Sequence, residues 1–258
     1  MLDLQKASML KRISAFILDV ILLAVAITGF AFFLSAVTGY DSYRERLSNI
    51  EVSYWAQYGV EDPNNDKSIS LSEYEAFTDE QKKNYELASV ALSKDAEAKR
   101  ANEMIVNLTL VITSISILFG YLLLEFTVPL MFKNGQTIGK KIFGIALMRN
   151  DGVKINTVML FVRTVLGKYT IETMVPVFLI IMILFFGAGI VGLAVLLLIG
   201  VLEIVMLCTT KTRSCIHDLL AYTVAVDMQS QMIFESPEAL LEYKKKLHAD
   251  VVADSDYK

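Results

Sequence analysis

The stretch Met174–Cys208, MVPVFLIIMILFFGAGIVGLAVLLLIGVLEIVMLC, decides how often this chain crosses a membrane. At about 1.5 Å per residue it is too long for one upright helix and short for two full spans. Gly187, Gly189 and Gly192 interrupt it near the middle, where a tight turn is easiest. Charge settles the choice, because basic residues mark the cytoplasmic ends of spans. Upstream, Lys133, Lys140, Lys141, Arg149, Lys154, Arg163 and Lys168 face only Asp151 and Glu172. Downstream come Lys211, Arg213 and Lys244-Lys245-Lys246. Both flanks belong on one side, so the stretch crosses twice and turns near residues 187–192.

Two more apolar runs lie upstream, Ile13–Val37 and one from about Ile105 to Phe132. Each is long enough for a bilayer, which needs roughly 20 residues. The first follows Lys6, Lys11 and Arg12 as a signal peptide would, but a cleaved signal has only about 7–15 apolar residues. It reads as a retained span. A hydrophobic share of 54% and a mean hydropathy of +0.49 agree with an integral membrane protein. The expected fold is an all-α membrane protein with four transmembrane helices and both termini cytoplasmic, in the plasma membrane.

The expected divisions are 1–37, ending the first span; 38–103, an extracellular polar helical insertion; and 104–132, the second span. Then come 133–173, a basic cytoplasmic segment with a short strand and an amphipathic helix; 174–208, the third and fourth spans; and 209–258, a cytoplasmic tail. The net charge of −4 is unevenly spread, and no basic stretch carries interleaved aromatics, so nucleic acid is not an expected partner. The lipid bilayer is. Cys208 and Cys215 sit beside basic residues on the expected reducing side, where a disulfide is not expected.

Ionisable residues inside apolar runs are the first functional candidates. Asp19 lies within the first run, Glu125 in the second and Glu203 in the last. A carboxylate in a span costs about 2.5–3.5 kcal/mol, so each needs a partner. Arg12 is the nearest candidate for Asp19: two helical turns away, it projects from the same face about 10 Å along the helix. Arg163 and Lys140 are further available cations. The topology puts all three acids in the cytoplasmic half of the bilayer. They make either a site for a proton or monovalent cation, or a network of paired charges tying helix ends to loops.

In the insertion, Asp62, Asn64, Asp66, Ser70 and Glu73 stand at positions 1, 3, 5, 9 and 12 of a calcium loop of the EF-hand kind. Lys67 occupies the sixth position, where such loops require glycine. Ser70 to Glu73 is also a capping box, which gives Glu73 an ordinary role. Thr78 to Gln81 repeats the pattern, opening a helix expected to reach Asn102. Tyr40, Tyr43, Tyr54, Trp55 and Tyr58 suit either an aromatic belt at the membrane surface or the core of a small domain.

The run Asn134-Gly-Gln-Thr-Ile-Gly-Lys-Lys141 tempts a phosphate-loop reading, but its glycine spacing is one short and Lys141 replaces the hydroxyl residue. A tight turn fits better. Ile142–Arg149 reads as a strand, Asn150-Asp151-Gly152 as a turn, and Asn156 as the cap of an interfacial helix. After Gln229 the chain is polar, with a short helix opening at Ser236-Pro237-Glu238. No nucleophile–base pair and no convincing metal spacing appears, so neither an enzyme nor an obligate cofactor is expected.

Three separated segments together resemble the RDD family of bacterial membrane proteins. They are Lys11-Arg12-Ile-Ser-Ala-Phe-Ile-Leu-Asp19, then Gly135 to Gly144 through Asp151-Gly152 and Arg163, and finally Ser214-Cys-Ile-His217-Asp218 through Thr223. The family's arginine and two aspartates fall on Arg12, Asp19 and Asp218. The resemblance implies a multi-span protein for which transport is the usual suggestion and cation/proton exchange is attributed to some members. The insertion is longer than the family's usual link. Four spans leave little room for two gated compartments, so a homo-oligomer is expected. A non-transporting membrane scaffold is the alternative.

Overall fold

The computed structural model describes residues 4–132, 134–187, 189–210 and 212–255. Lys133 and Lys211, used above to set topology, lie outside them. Among the described residues four helices are long and apolar enough to cross a membrane: Met9–Thr38, Ala96–Phe132, Thr157–Leu184 and Gly189–Thr209. The chain turns between the last two where glycine permits it. Gly187 caps one helix at φ +68° and the next restarts at Gly189, φ +47°.

The apolar helix that carries the expected third span starts at Thr157, ahead of Met174. The helix expected to lie in the membrane surface is its first part, with the Asn156 side chain accepting the Met159 amide at 2.8 Å. Its charged residues Arg163, Lys168 and Glu172 have partners within the protein. From Val162 to Met174 this helix is a π-helix of 13 residues, and the second span carries a six-residue π segment at Leu122–Thr127. Such helices are rare and mostly single turns. Two threonines mark the wider repeat, Thr127 and Thr170, whose hydroxyls donate to the carbonyls of Leu122 and Val165, five residues back. An i→i+5 repeat brings Arg163 and Lys168 onto one face.

The strand expected at 142–149 forms as β1, Ile145–Arg149. It pairs antiparallel with β2, Thr223–Asp227, Leu147 standing opposite Ala225. Both strands are covered on both faces, which is why they read as unbroken apolar runs and not as alternations. A third segment joins at Lys6, bridged to Val226, and the Asp227 amide donates to the Gln5 carbonyl at 3.0 Å. Lys11 Nζ reaches Asp227 at 2.5 Å. Chain from before the first span, after the second and after the fourth thus builds one small layer.

Residues Thr28–Ser116 form a compact unit of their own. Helices Tyr40–Tyr58, Leu71–Ala76 and Asp79–Leu92 enclose a core of Trp55, Val60, Phe77 and Ala88, with Tyr54 and Tyr58 against it. Of the aromatics with two expected roles, Tyr54, Trp55 and Tyr58 are therefore domain core. Both capping boxes form, at Ser70 and at Thr78. The helix opened by Thr78 stops at Leu92 instead of running to Asn102. Asp95 breaks it by capping the next helix, its Oδ1 accepting the Glu97 and Ala98 amides at 2.8 and 2.7 Å.

Candidate functional site

Asp19 is 9% exposed, and its partner is not Arg12. One oxygen accepts the Thr137 hydroxyl and the other the Gly139 amide at 2.7 Å. Thr137 also caps the short helix Ile138–Ile142, so the carboxylate sits where backbone amides point outward unpaired. Two directed donors replace the cation that spacing along the first span suggested. The glycine-rich run gains a structural account here. Gly135 holds φ +63°, and Gln136 donates to the Ile145 carbonyl at 2.7 Å. A Cβ on Gly139 would stand 2.3 Å from the Ala15 carbonyl oxygen.

Arg12 turns instead toward Asp218, Nη2 to Oδ2 at 3.8 Å, and its Nη1 is buried without a hydrogen-bond partner among the described residues. The closer cation is Arg163, whose Nε and Nη2 both reach Asp218 Oδ1, at 3.0 and 2.9 Å. Thr223 adds a hydroxyl at 3.1 Å. Burial alone would raise the Asp218 carboxyl, but Arg163, His217 and Arg12 hold it well below the usual carboxylate range. Arg12, Arg163 and Asp218 thus join the first span, the third span and the chain beyond the fourth.

Glu125, buried in the π segment of the second span, pairs with Lys168 at 2.6 Å, and its carbonyl accepts the Thr164 hydroxyl at 2.9 Å. Lys140 neighbours this pair and Asp19. Burial and the charge of Lys168 push its ammonium down to about 7, against the pull of Glu125 and Asp19.

The fourth group is Glu172, His217 and Glu203. Glu172 accepts the His217 amide at 2.8 Å and meets its Nδ1 at 2.6 Å. On the ring's other side Nε2 lies 3.6 Å from Asp218. Burial lowers the His217 imidazole below its ordinary value, with Asp218 and Glu172 opposing. Glu203 neighbours Glu172, the Cys215 thiol and the Ile216 amide, and its Oε1 is buried without a hydrogen-bond partner among the described residues. Cys208 and Cys215 are free, and burial together with Asp218 and the neighbouring glutamates pushes the Cys215 thiol up to about 12. Gly167 makes the packing possible, since a Cβ there would stand 2.5 Å from that of His217.

All seven candidates, Arg12, Asp19, Glu125, Arg163, Glu203, His217 and Asp218, lie within the unit of residues 1–27 and 117–258. Thr137, Lys168 and Glu172 complete it. Sequence reasoning counted Lys168 and Glu172 only as charge. Their signal was available, because Arg163, Lys168 and Glu172 recur five and four residues apart along an otherwise apolar helix.

The residues of the calcium reading meet donors of their own loop. Asp62 Oδ1 accepts the Asn64 and Asn65 amides at 3.1 and 2.9 Å, and Oδ2 accepts that of Lys67 at 2.7 Å. Glu73 takes the Ser70 amide at 2.6 Å and the Asn64 side chain. Asp66 serves the Ser68 amide at 2.9 Å, and the Ser70 hydroxyl caps its helix. The loop is a self-capped turn whose donors already occupy the acids. Among the described residues no three acids, histidines or cysteines come together as they would around an ion.

A model of the RDD family matches residues 6–222. That range includes Arg12, Asp19, Arg163 and Asp218. No curated protein and no solved structure matches the chain.

Proposed function

Since the chain belongs to the RDD family, we propose that it exchanges protons for a monovalent cation across the plasma membrane, both termini being cytoplasmic. One observation carries this reading: Glu203 of the fourth span lies against Glu172 of the third, with one oxygen buried and without a hydrogen-bond partner among the described residues. Two neighbouring carboxyls hold either a shared proton or a cation between them. His217, on Glu172 at 2.6 Å, is the group through which the proton enters or leaves. Lys140, Lys141, Arg149 and Lys154 in the loop after the second span support the orientation. Arg12, Asp19, Arg163 and Asp218 are clamps in this reading, and Glu125 stays bound to Lys168. The working unit is a homo-oligomer.

The test is cation-dependent proton flux in proteoliposomes. Parent protein moves protons when a sodium or potassium gradient is imposed, Glu203→Gln abolishes the flux, and Asp19→Asn lowers stability more than rate. Absence of flux in folded parent protein overturns the proposal. A membrane scaffold is the second reading, favoured because both oxygens of Asp19 are already satisfied. A stoichiometric co-purifying partner without flux supports it.

A further inference from the structure

The unit Thr28–Ser116 has its own candidate site, built on elements the charged cluster does not use. Glu51 and Trp55 lie one turn apart on the helix Tyr40–Tyr58, and Tyr85 and Ser89 one turn apart on Asp79–Leu92. Between these helices and the loop residues Lys67 and Ser68 opens a cleft of about 200 Å³.

Its two charges are opposite in sign and line the same space, yet no ion pair joins Glu51 to Lys67 among the described residues. Lys67 donates to Asn49 Oδ1 at 3.0 Å, which leaves two of its three N–H groups for a ligand. Glu51 is half-buried and has no hydrogen-bond or ion-pair partner among the described residues. Burial pushes its carboxyl above the usual range, a cost that an arriving cation removes. The hydroxyls of Ser68, Tyr85 and Ser89 are likewise without hydrogen bonds among the described residues.

We propose that this cleft binds a small zwitterion of the free amino acid class, its ammonium on Glu51 and its carboxylate on Lys67. Each charge also selects against the wrong ligand. Lys67 repels a simple cation and Glu51 repels a simple anion, so only a molecule carrying both signs satisfies the pair. The volume agrees, since sites for drug-sized ligands run to roughly 300–1,000 Å³ and this one is smaller. The site is independent of the exchange reading.

Trp55 is the single tryptophan of the chain and lines this cleft, so tryptophan emission arises at the cleft's wall. The experiment titrates detergent-solubilised full-length protein with individual L-amino acids, with choline as a cation lacking a carboxylate, and with acetate as an anion lacking an ammonium. At least one amino acid shifts the Trp55 emission saturably in the millimolar range or below, and choline and acetate do not. Glu51→Gln and Lys67→Met each weaken that binding about tenfold or more, as loss of a charge-assisted hydrogen bond does. Because both residues are partly solvated, the variants keep the parent's melting temperature. Ser89→Phe, which fills the cleft, abolishes binding and provides a second route to the answer. No response to any amino acid, an equal response to choline, or unchanged affinity in Glu51→Gln overturns the proposal.

Discussion

Two arginine–carboxylate pairs in this molecule invert the ranking that their distances suggest. In the Thr28–Ser116 unit, Arg46 and Glu97 stand 2.5 Å apart with 60% and 55% of their side chains exposed. In the other unit Arg163 and Asp218 stand 2.9 Å apart, 3% and 2% exposed. The shorter contact is the weaker one. Water and salt screen the exposed pair, which at most contributes about 1 kcal/mol. The buried pair is held less by its own attraction than by the cost of leaving either charge alone, about 3–5 kcal/mol. Exposure, not separation, sets what each is worth.

The largest effect expected from this comparison is that of Arg163→Met, which strands Asp218. It lowers stability by about 3–5 kcal/mol, read by thermal unfolding in detergent. Adding Asp218→Leu recovers part of the loss, because the orphaned carboxylate is gone while Arg12 in turn loses its partner. A single variant as stable as the parent breaks the comparison. The same pair gives a pH dependence with a fixed sign. Asp218 is held below its ordinary value of 3.8 in the folded state, so its contribution is complete above that value and lost as pH falls below it. Parent protein therefore loses stability as pH falls below about 4, and the double variant loses less.

The same contrast explains what was legible in the sequence. In the Thr28–Ser116 unit the signals are local. Both capping boxes formed where Ser70, Glu73, Thr78 and Gln81 placed them. The Gly187 turn likewise followed from one residue's freedom at positive φ. Pairings in the charged cluster are not local. Asp19 finds Thr137 and Gly139, and Arg163 finds Asp218, across large sequence separations. The sequence marks each charge as needing a partner but does not name it, because folding supplies partners that helical spacing cannot. The π-helix escaped for a related reason. A 3.6-residue repeat splits Arg163 from Lys168, and only the wider turn aligns them.

A second pair of positions sharpens the comparison at intermediate size. Gly139→Ala puts a methyl 2.3 Å from the Ala15 carbonyl oxygen and 2.9 Å from the Asp19 carboxyl, neither of which can yield without opening the clamp. A loss of about 1–3 kcal/mol follows. Gly29→Ala, in the first span but within the Thr28–Ser116 unit, meets nothing within 4 Å. Alanine is the better helix former by roughly 1 kcal/mol, so this change is neutral or stabilising in the same unfolding assay. Equal losses at both glycines contradict the idea that close approach, and not helix propensity, governs the Asp19 clamp.

Arg46→Ala is the smallest expected change and the most direct test of screening. At low ionic strength it costs less than about 1 kcal/mol. At about 1 M salt, where the screening length falls to about 3 Å, that cost vanishes. Arg163→Met, measured beside it, keeps its full penalty at both salt concentrations, because ions cannot reach a pair that is almost wholly buried. If salt erases both penalties alike, water reaches Asp218, and the division between a solvated unit and a dry charged cluster fails. If salt erases neither, Glu97 is held by more than an exposed arginine 2.5 Å away.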